Sequence, residues 1–354
     1  MISTDQQSFE EFIRVIVRQK PQILTQNVNE DQVVINQRDN SITLSNKFND
    51  GTSKTQTFYF DTIFNEQSSQ QQIYNNAVSP LVNSLFCGIS STIWAFGQAC
   101  SGKRYTLIGN HQDEQSQGIV YRAADHIFSK FKHFRESKEE QKEQDEEFKV
   151  YVSVYTLYQE ILEDMLTNEG EDLKIRENLN GIQIENLTKI CVSNQLEFFK
   201  VLQKGIHQNL INVTQRSLLQ SRQCFFIEIS ILKINKTLGT EQISCLKIVK
   251  FSGIEERYNK LNLQQALQIK QYNPIKNFSN VIYALSENNA HVPYRDSKLT
   301  RLIQGALGGN QRGLMIYNLN TQLEYEQIQC YLRIASRVQQ VRNNIFFIKK
   351  QSYA

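Results

Sequence analysis

The chain predicts an α/β fold, a central, mostly parallel sheet with helices on both faces, and three observations carry that reading. Strand-like and helix-like periods alternate along nearly all of its 354 residues. A glycine-bounded loop, Gly97-Gln98-Ala99-Cys100-Ser101-Gly102-Lys103-Arg104, stands between an apolar run and a helical period. No stretch is rich enough in Pro, Gly or Ser to split the chain into separate domains.

The elements follow in order. Phe12-Ile13-Arg14-Val15-Ile16-Val17-Arg18 predicts the first strand, ended by Pro21, which has no N–H for a ladder. Thr57-Phe58-Tyr59-Phe60 predicts another, and residues 73–85 alternate at helical period. Thr92-Ile93-Trp94-Ala95-Phe96 reads as a buried strand, and residues 121–134 as an amphipathic helix. The charge-dense residues 135–147 read as a solvated helix end or loop. Strands are then expected over 148–158, 224–234, 245–251 and 313–319. Helices are expected over 195–205, 261–270, 275–285, 297–307 and 325–341.

Composition excludes several function classes. A hydrophobic fraction of 40% supports a substantial core, and a formal charge of +3 is too even for a general nucleic-acid binder. Any acidic partner must be met by a local basic patch. The six cysteines (87, 100, 191, 224, 245, 330) form no CxxC pair and have no partnering His cluster. That argues against a disulfide framework and against a zinc site, so no metal site is expected. No secretory h-region and no run of 18 apolar residues occurs, so no membrane partner is expected. Gln and Asn are frequent but spread through apolar-rich segments, a compositional bias and not a prion-like tract.

The loop carries the chemistry. In the pattern GxxxxGK[ST], backbone N–H groups wrap a nucleotide's phosphates and the Lys ammonium reaches the outer ones. The closing Ser or Thr places a hydroxyl on Mg²⁺. Here that position is Arg104. The cradle is kept and a metal ligand is lost.

Residues His291-Val292-Pro293-Tyr294-Arg295-Asp296-Ser297-Lys298-Leu299-Thr300-Arg301-Leu302-Ile303-Gln304, followed by Ala306-Leu307-Gly308-Gly309-Asn310, closely resemble the most recognisable stretch of the kinesin motor domain. Other matches fall in that family's order. Arg18-Gln19-Lys20-Pro21 resembles the adenine-side RxRP, and Phe60-Asp61-Thr62-Ile63-Phe64 resembles FDxVF. Gly97 to Thr106 resembles GQTxSGKTYT, and Tyr158-Gln159-Glu160 with Asp164 resembles YNExxxDLL. The resemblance runs from about Phe9 to Asn343. It implies an N-terminal extension over 1–8, a kinesin-like P-loop NTPase motor domain over 9–343, and a neck-linker-like tail over 344–354.

The resemblance also implies site residues. Nucleotide contacts fall on Arg18, Pro21, Gly97, Gln98, Ala99, Cys100, Ser101, Gly102, Lys103, Arg104 and Tyr105, with ATP or ADP as the ligand. Of the switch I pattern NxxSSRSH, the aligned residues 217–224 keep Ser221 and Arg222. Of DLAGSE, residues 250–255 keep Gly253 and Glu255, and Lys250 replaces the Asp that holds Mg²⁺ through water. Arg222 and Glu255 match the pair that joins the two switches. Arg104 and Lys250 thus set two cations around the metal position. At about 4 Å two unit charges interact by roughly 4 kcal/mol at an effective dielectric of 20, so Mg²⁺ and metal-assisted hydrolysis are not expected. Two readings of the pocket stay open. In one, the two cations replace the metal beneath a bound nucleotide; in the other, their side chains fill the pocket.

Microtubule contacts are implied at Tyr294, Arg295, Lys298 and Arg301. The family's other basic contact loop aligns with residues 176–180, which are nearly neutral, and Pro274 falls in the helix that follows switch II. Residues 342–350 resemble the start of a neck linker whose 345–348 segment would dock on the head or on another protein. No heptad stalk follows, so no self-dimerising segment is expected. The expected function is that of a microtubule-binding structural or adaptor protein of the cytoplasmic cytoskeleton, with ATP turnover lost. Other cytoskeletal proteins are candidate partners, and a stable array such as a ciliary axoneme would suit an immobile head. The alternative is a slow ATP-dependent motor or destabilising head. A regulatory partner of an active kinesin is a third class.

Overall fold

The computed structural model describes residues 8–21, 32–47, 53–141, 146–167, 172–178, 181–215, 223–253, 274–346 and 350–351. The chain opens with β1 (Ser8–Phe12), β2 (Arg14–Gln19), β3 (Val33–Asn36), β4 (Ser41–Lys47), β5 (Ser53–Tyr59) and β6 (Thr62–Phe64). Then come α1 (Gln70–Ile73), a π-helical turn over Tyr74–Val78, α2 (Ser79–Phe86), β7 (Ser91–Phe96), α3 (Lys103–Leu107) and α4 (Ile119–Gln141). The middle of the chain supplies β8 (Glu146–Tyr158), β9 (Ile161–Asp164), β10 (Ile175–Asn178), β11 (Gly181–Ile184), β12 (Ile190–Val192) and α5 (Gln195–Gln215). The long strands β13 (Cys224–Asn235) and β14 (Thr240–Lys250) follow. The last third holds α6 (Pro274–Ser286), α7 (Lys298–Leu302), β15 (Arg312–Leu319), α8 (Tyr325–Val338), β16 (Arg342–Phe346) and β17 (Lys350–Gln351).

The main sheet runs β12-β8-β13-β14-β7-β15-β2-β6. From β14 to β6 every pairing is parallel, and from β12 to β14 every pairing is antiparallel. The sheet is therefore mixed, with its parallel half carrying the phosphate loop. The antiparallel half follows from a short hairpin: Asn235 pairs with Thr240 across four residues, too few for the crossover that parallel strands need.

β7 lies between two parallel partners and buries all six residues. Alternation divides it between two cores. Ile93 and Ala95 pack with α2, α4 and α5 through Val82, Ala124 and Phe198. Trp94 and Phe96 pack on the other face with Phe278 of α6 and Leu332 of α8. Each such large apolar side chain contributes about 1.5–3 kcal/mol on burial. The α/β class expected from the sequence is thus present, with helices on both faces.

Three departures have physical causes. The helix expected over 73–85 is interrupted by the π turn. Pro80 has no N–H for the Asn76 carbonyl four residues earlier, and that oxygen instead accepts from Arg14 Nη1 at 2.9 Å. The helix expected over 297–307 ends at Leu302, and Gln304–Ala306 continues as a 3₁₀ turn. Within the charge-dense 135–147, α4 extends to Gln141, but Glu146 and Glu147 belong to β8, where they pair with Lys233 at 2.7 Å and Lys236 at 3.4 Å. Pro274 begins α6, where its missing N–H would have had no intrahelical partner. The helix expected over 261–270 lies outside the described residues.

The two ends of the head meet. β1 pairs antiparallel with β16, Ser8 opposite Phe346, and Ile345 is fully buried. Asn343, also buried, donates to the Ala306 and Gln311 carbonyls and accepts from Gly308 N–H. β17 then pairs with the start of β14. The divisions expected at 8/9 and 343/344 cut through this strand pair.

Candidate functional site

The phosphate loop leaves the carboxyl end of β7 and enters α3. Gly97 has φ of 135°, and a Cβ there would stand 2.5 Å from the Asn318 carbonyl oxygen, so the turn and the packing both require glycine. Lys103 is buried. Its ammonium is folded back into the loop, donating to the Gly97 carbonyl at 2.7 Å and to the Gln98 carbonyl. Ser101 is 1% exposed, and its hydroxyl has no hydrogen-bond partner among the described residues. Around Gly102 a Cβ would meet nothing within 4 Å. The Cβ side of Gly102 faces open space, and the Ser101 hydroxyl is buried in the loop without a described partner.

Arg18, expected beside the adenine, anchors the loop helix from below. Its Nη1 donates to Gln70 Oε1 at 2.8 Å and to Thr106 Oγ1 at 2.9 Å, and its guanidinium lies 5.0 Å from the Tyr105 ring centroid. Burial pushes its pKa down to about 10, partly offset by Tyr105. Asn318 Nδ2 donates to the same Thr106 hydroxyl at 2.7 Å, and Gln70 Nε2 donates to the Tyr105 carbonyl. The sequence pointed to neither Gln70 nor Asn318 and placed Thr106 only in the loop motif, because partners 52 and 88 positions from Arg18 leave no local signal. Tyr105 is half exposed, Cys100 is exposed, and Pro21 lies on the surface after β2.

Arg104 is exposed, and Lys250 is partly buried at the end of β14. Burial lowers the Lys250 ammonium pKa, the Cys224 thiol opposes that shift, and Arg104 adds to it. Arg104 also acts on Tyr121, whose hydroxyl is pushed up to about 12 by burial. Neither basic side chain carries an oxygen. Gly253, three residues past Lys250, lies so close to the loop that a Cβ would meet Ala99 N at 2.6 Å. Ser221, Arg222 and Glu255 lie outside the described residues.

The segment expected to face a track packs against Glu160, just past the carboxyl end of β8. Tyr294 donates its hydroxyl to the Leu307 carbonyl, and its own carbonyl accepts from Thr300 Oγ1 at 2.7 Å. Arg295 is well exposed and pairs with Glu177 at 3.5 Å. Lys298 pairs with Asp172 at 2.7 Å. Arg301 is half-buried and makes no ion pair with any described residue. Glu160, with φ of 64°, accepts from Ser297 Oγ at 2.9 Å and from the Lys298 N–H. The sequence singled out Glu160 by its motif. It marked Glu177 only as part of a nearly neutral loop and gave no sign of Asp172; these two acids partly neutralise the basic face.

A phosphate loop at the end of a central parallel strand, its Lys buried and its helix braced by an internal polar network, defines an α/β fold of the P-loop class. The family model of the kinesin motor domain matches residues 18–341, and the chain belongs to that family. It is 29% identical over 340 residues to kinesin-like protein Klp68D of Drosophila melanogaster, covering 94% of this chain and 42% of that one. It is 32% identical over 304 residues to kinesin-related protein 7 of Dictyostelium discoideum, covering 84% of this chain and 23% of that one. The chain thus spans less than half the length of these relatives. The solved structure of a fast kinesin, described for its ATPase mechanism and interactions with microtubules, superimposes with a TM-score of 0.83 at 26% identity, over 97% of this chain and 95% of the other.

Proposed function

We propose that this chain is a microtubule-binding kinesin-like head that holds its track without hydrolysing ATP, in a structural or adaptor role within the cytoskeleton. The observation that carries the reading is the pair of basic side chains, Arg104 and Lys250, at the two positions where a kinesin holds Mg²⁺. Phosphoryl transfer on such a loop depends on a metal bridging the outer phosphates and on ordered switch residues that orient water. Neither replacement can ligate a cation, and both repel one. The residues present fit a phosphate group and do not fit a divalent metal. Arg295, Lys298 and Arg301, with Tyr294 holding the turn that presents them, are the proposed contacts to the acidic microtubule surface. An immobile head suits a stable array such as a ciliary axoneme, with other cytoskeletal proteins as neighbours.

Co-sedimentation with taxol-stabilised microtubules tests the reading. Binding is expected to be the same in ATP, in ADP and after nucleotide removal. Release by ATP would contradict it. The close approach of Gly253 to Ala99 favours a second reading, a slow ATP-dependent microtubule motor, because it retains the contact between loop and switch strand that such a motor uses. ATP-driven gliding of microtubules over the surface-bound chain would select that reading.

A further inference from the structure

One end of the main sheet is polar on the face that elsewhere carries the second core. β13 and β14 pair Phe226 with Val249, both in that core, then Glu228 with Lys247, Ser230 with Cys245 and Leu232 with Ile243. Alternate residues of a strand share a face, so these pairs continue one surface. Among the described residues no part of α6 or α8 lines this end. Ile182 and Ile184 of β11 and Leu302 of α7 line it instead, around a cavity of about 210 Å³. Ile243, which also lines it, is 51% exposed and marks its mouth.

We propose that this cavity binds a small uncharged amide with an apolar body of about one ring, its carboxamide seated on the Glu228 carboxylate and the Lys247 ammonium. None of the described lining residues belongs to the phosphate loop, so such a site does not depend on whether ATP is turned over.

Size sets the body. An apolar cavity of about 150 Å³ accepts benzene, so this one has room for a ring and a short polar head. Ile182, Ile184, Leu187 and Ile243 supply the apolar wall.

The floor sets the head. Tyr155 Oη and Lys247 Nζ both engage Glu228 Oε1, at 2.6 and 3.0 Å, and Oε2 takes no hydrogen bond from a described residue. Lys247 Nζ directs its described bonds to Glu228 and to the Leu302 carbonyl, and an ammonium has a third proton to give. The floor thus offers an acceptor and a donor side by side, and a carboxamide returns an N–H and a C=O to them.

Charge excludes the ionised alternatives. Glu228 faces Lys247, and the other charged residues described in the lining are Glu241 and Lys189, so acids and bases balance. Burial pushes the Cys245 thiol up to about 12, with Glu228 adding to the rise, so it is neutral at physiological pH. A carboxylate or an ammonium would enter without a free counter-charge, and a buried unpaired charge is costly.

The test is calorimetric titration of the full chain with benzamide, benzoate and benzylamine, probes of similar size and different charge. Benzamide is expected to bind saturably with a Kd on the order of 1 mM, the range open to a single-ring ligand. It should bind about tenfold or more tightly than either charged probe. Ile243→Trp adds bulk at the half-exposed mouth and should abolish benzamide binding. Glu228→Gln leaves the Lys247 cation uncompensated, so this variant should prefer benzoate to benzamide, a reversal that a loss of packing alone would not give. Absence of benzamide binding overturns the proposal, and so does a charged probe that binds as tightly. Unchanged benzamide binding in Ile243→Trp places the probe elsewhere and overturns it too, as does a folded Glu228→Gln that keeps the benzamide preference. Should Glu228→Gln fail to fold, Ile243→Trp decides alone.

Discussion

Lys298 Nζ stands 2.7 Å from Asp172 Oδ1, so a cation on the helix proposed to face the track is already engaged within the head. Burial raises the Asp172 carboxyl pKa, but the Leu162 N–H and Lys298 outweigh it and hold it below the usual carboxylate range. Half-exposed pairs of this kind contribute about 0.2–1 kcal/mol. Asp172→Asn should therefore free Lys298 and tighten microtubule binding by about 1.5- to 5-fold in co-sedimentation at low salt. Unchanged affinity would show that Lys298 does not face the track.

Glu160 fixes the start of the same helix through the Ser297 hydroxyl and the Lys298 N–H. Glu160→Ala should cost about 1.5–3 kcal/mol, the scale of hydrogen bonds to a charged group, read by urea unfolding. Glu160→Gln retains an acceptor and should recover about half of that loss. An alanine variant as stable as the parent would mean that Glu160 does not hold the helix start.

A buried ion pair ties the sheet to α7. Lys247 Nζ lies 3.0 Å from Glu228 Oε1 and donates to the Leu302 carbonyl at 2.7 Å, and Tyr155 Oη donates to Glu228 at 2.6 Å. Burial raises the Glu228 pKa, yet Lys247 and the Tyr155 hydroxyl lower it further than burial lifts it. In the parent that contribution is present above the carboxylate's unfolded pKa and is lost as pH falls through the folded value. Lys247→Met removes the partner and should destabilise the head by about 3–5 kcal/mol. Burial then dominates at Glu228, the sign reverses, and the variant should regain stability on acidification from about pH 7 to about pH 5. Glu228→Gln combined with Lys247→Met should restore most of the loss, measured by urea unfolding at both pH values. Equal losses in the single and double variants would contradict the pairing.

Lys250 offers a test of the basic pair without ligand. Its folded pKa is depressed by burial and by Arg104, opposed by Cys224. Between the depressed value and the ordinary lysine value the unfolded chain binds more protons, so stability should rise with pH across that window. Lys250→Met in nucleotide-free protein should stabilise by about 1 kcal/mol near neutrality, a typical single-substitution scale, and should flatten that rise. Thermal unfolding as a function of pH is the readout. An unchanged pH slope would show that Lys250 is not the buried cation responsible.

What the sequence made legible was what repeats or stands in a run. The apolar β7 and the loop after it identify themselves, because a fully buried strand has no room for polar alternation. The small sheet β3-β4-β5 was legible only at residues 57–60, since Val33–Asn36 and Ser41–Lys47 mix polar residues with Ile42 and Leu44, which are buried against the second core. The π turn depended on pairing Pro80 with an arginine 66 positions away, and no local pattern encodes that. Arg18 was legible as a site residue by its motif. Its anchoring of Thr106 is long-range and was not. The same holds for the acids opposite Arg295 and Lys298.

The proposed head holds its track without turning over ATP. Phosphate release with Mg·ATP, measured with and without saturating microtubules, tests it most directly. The rate should stay at the uncatalysed background in both cases while co-sedimentation persists. Microtubule-stimulated release on the order of 1 s⁻¹ or faster, within the range of ordinary enzymes, would contradict it.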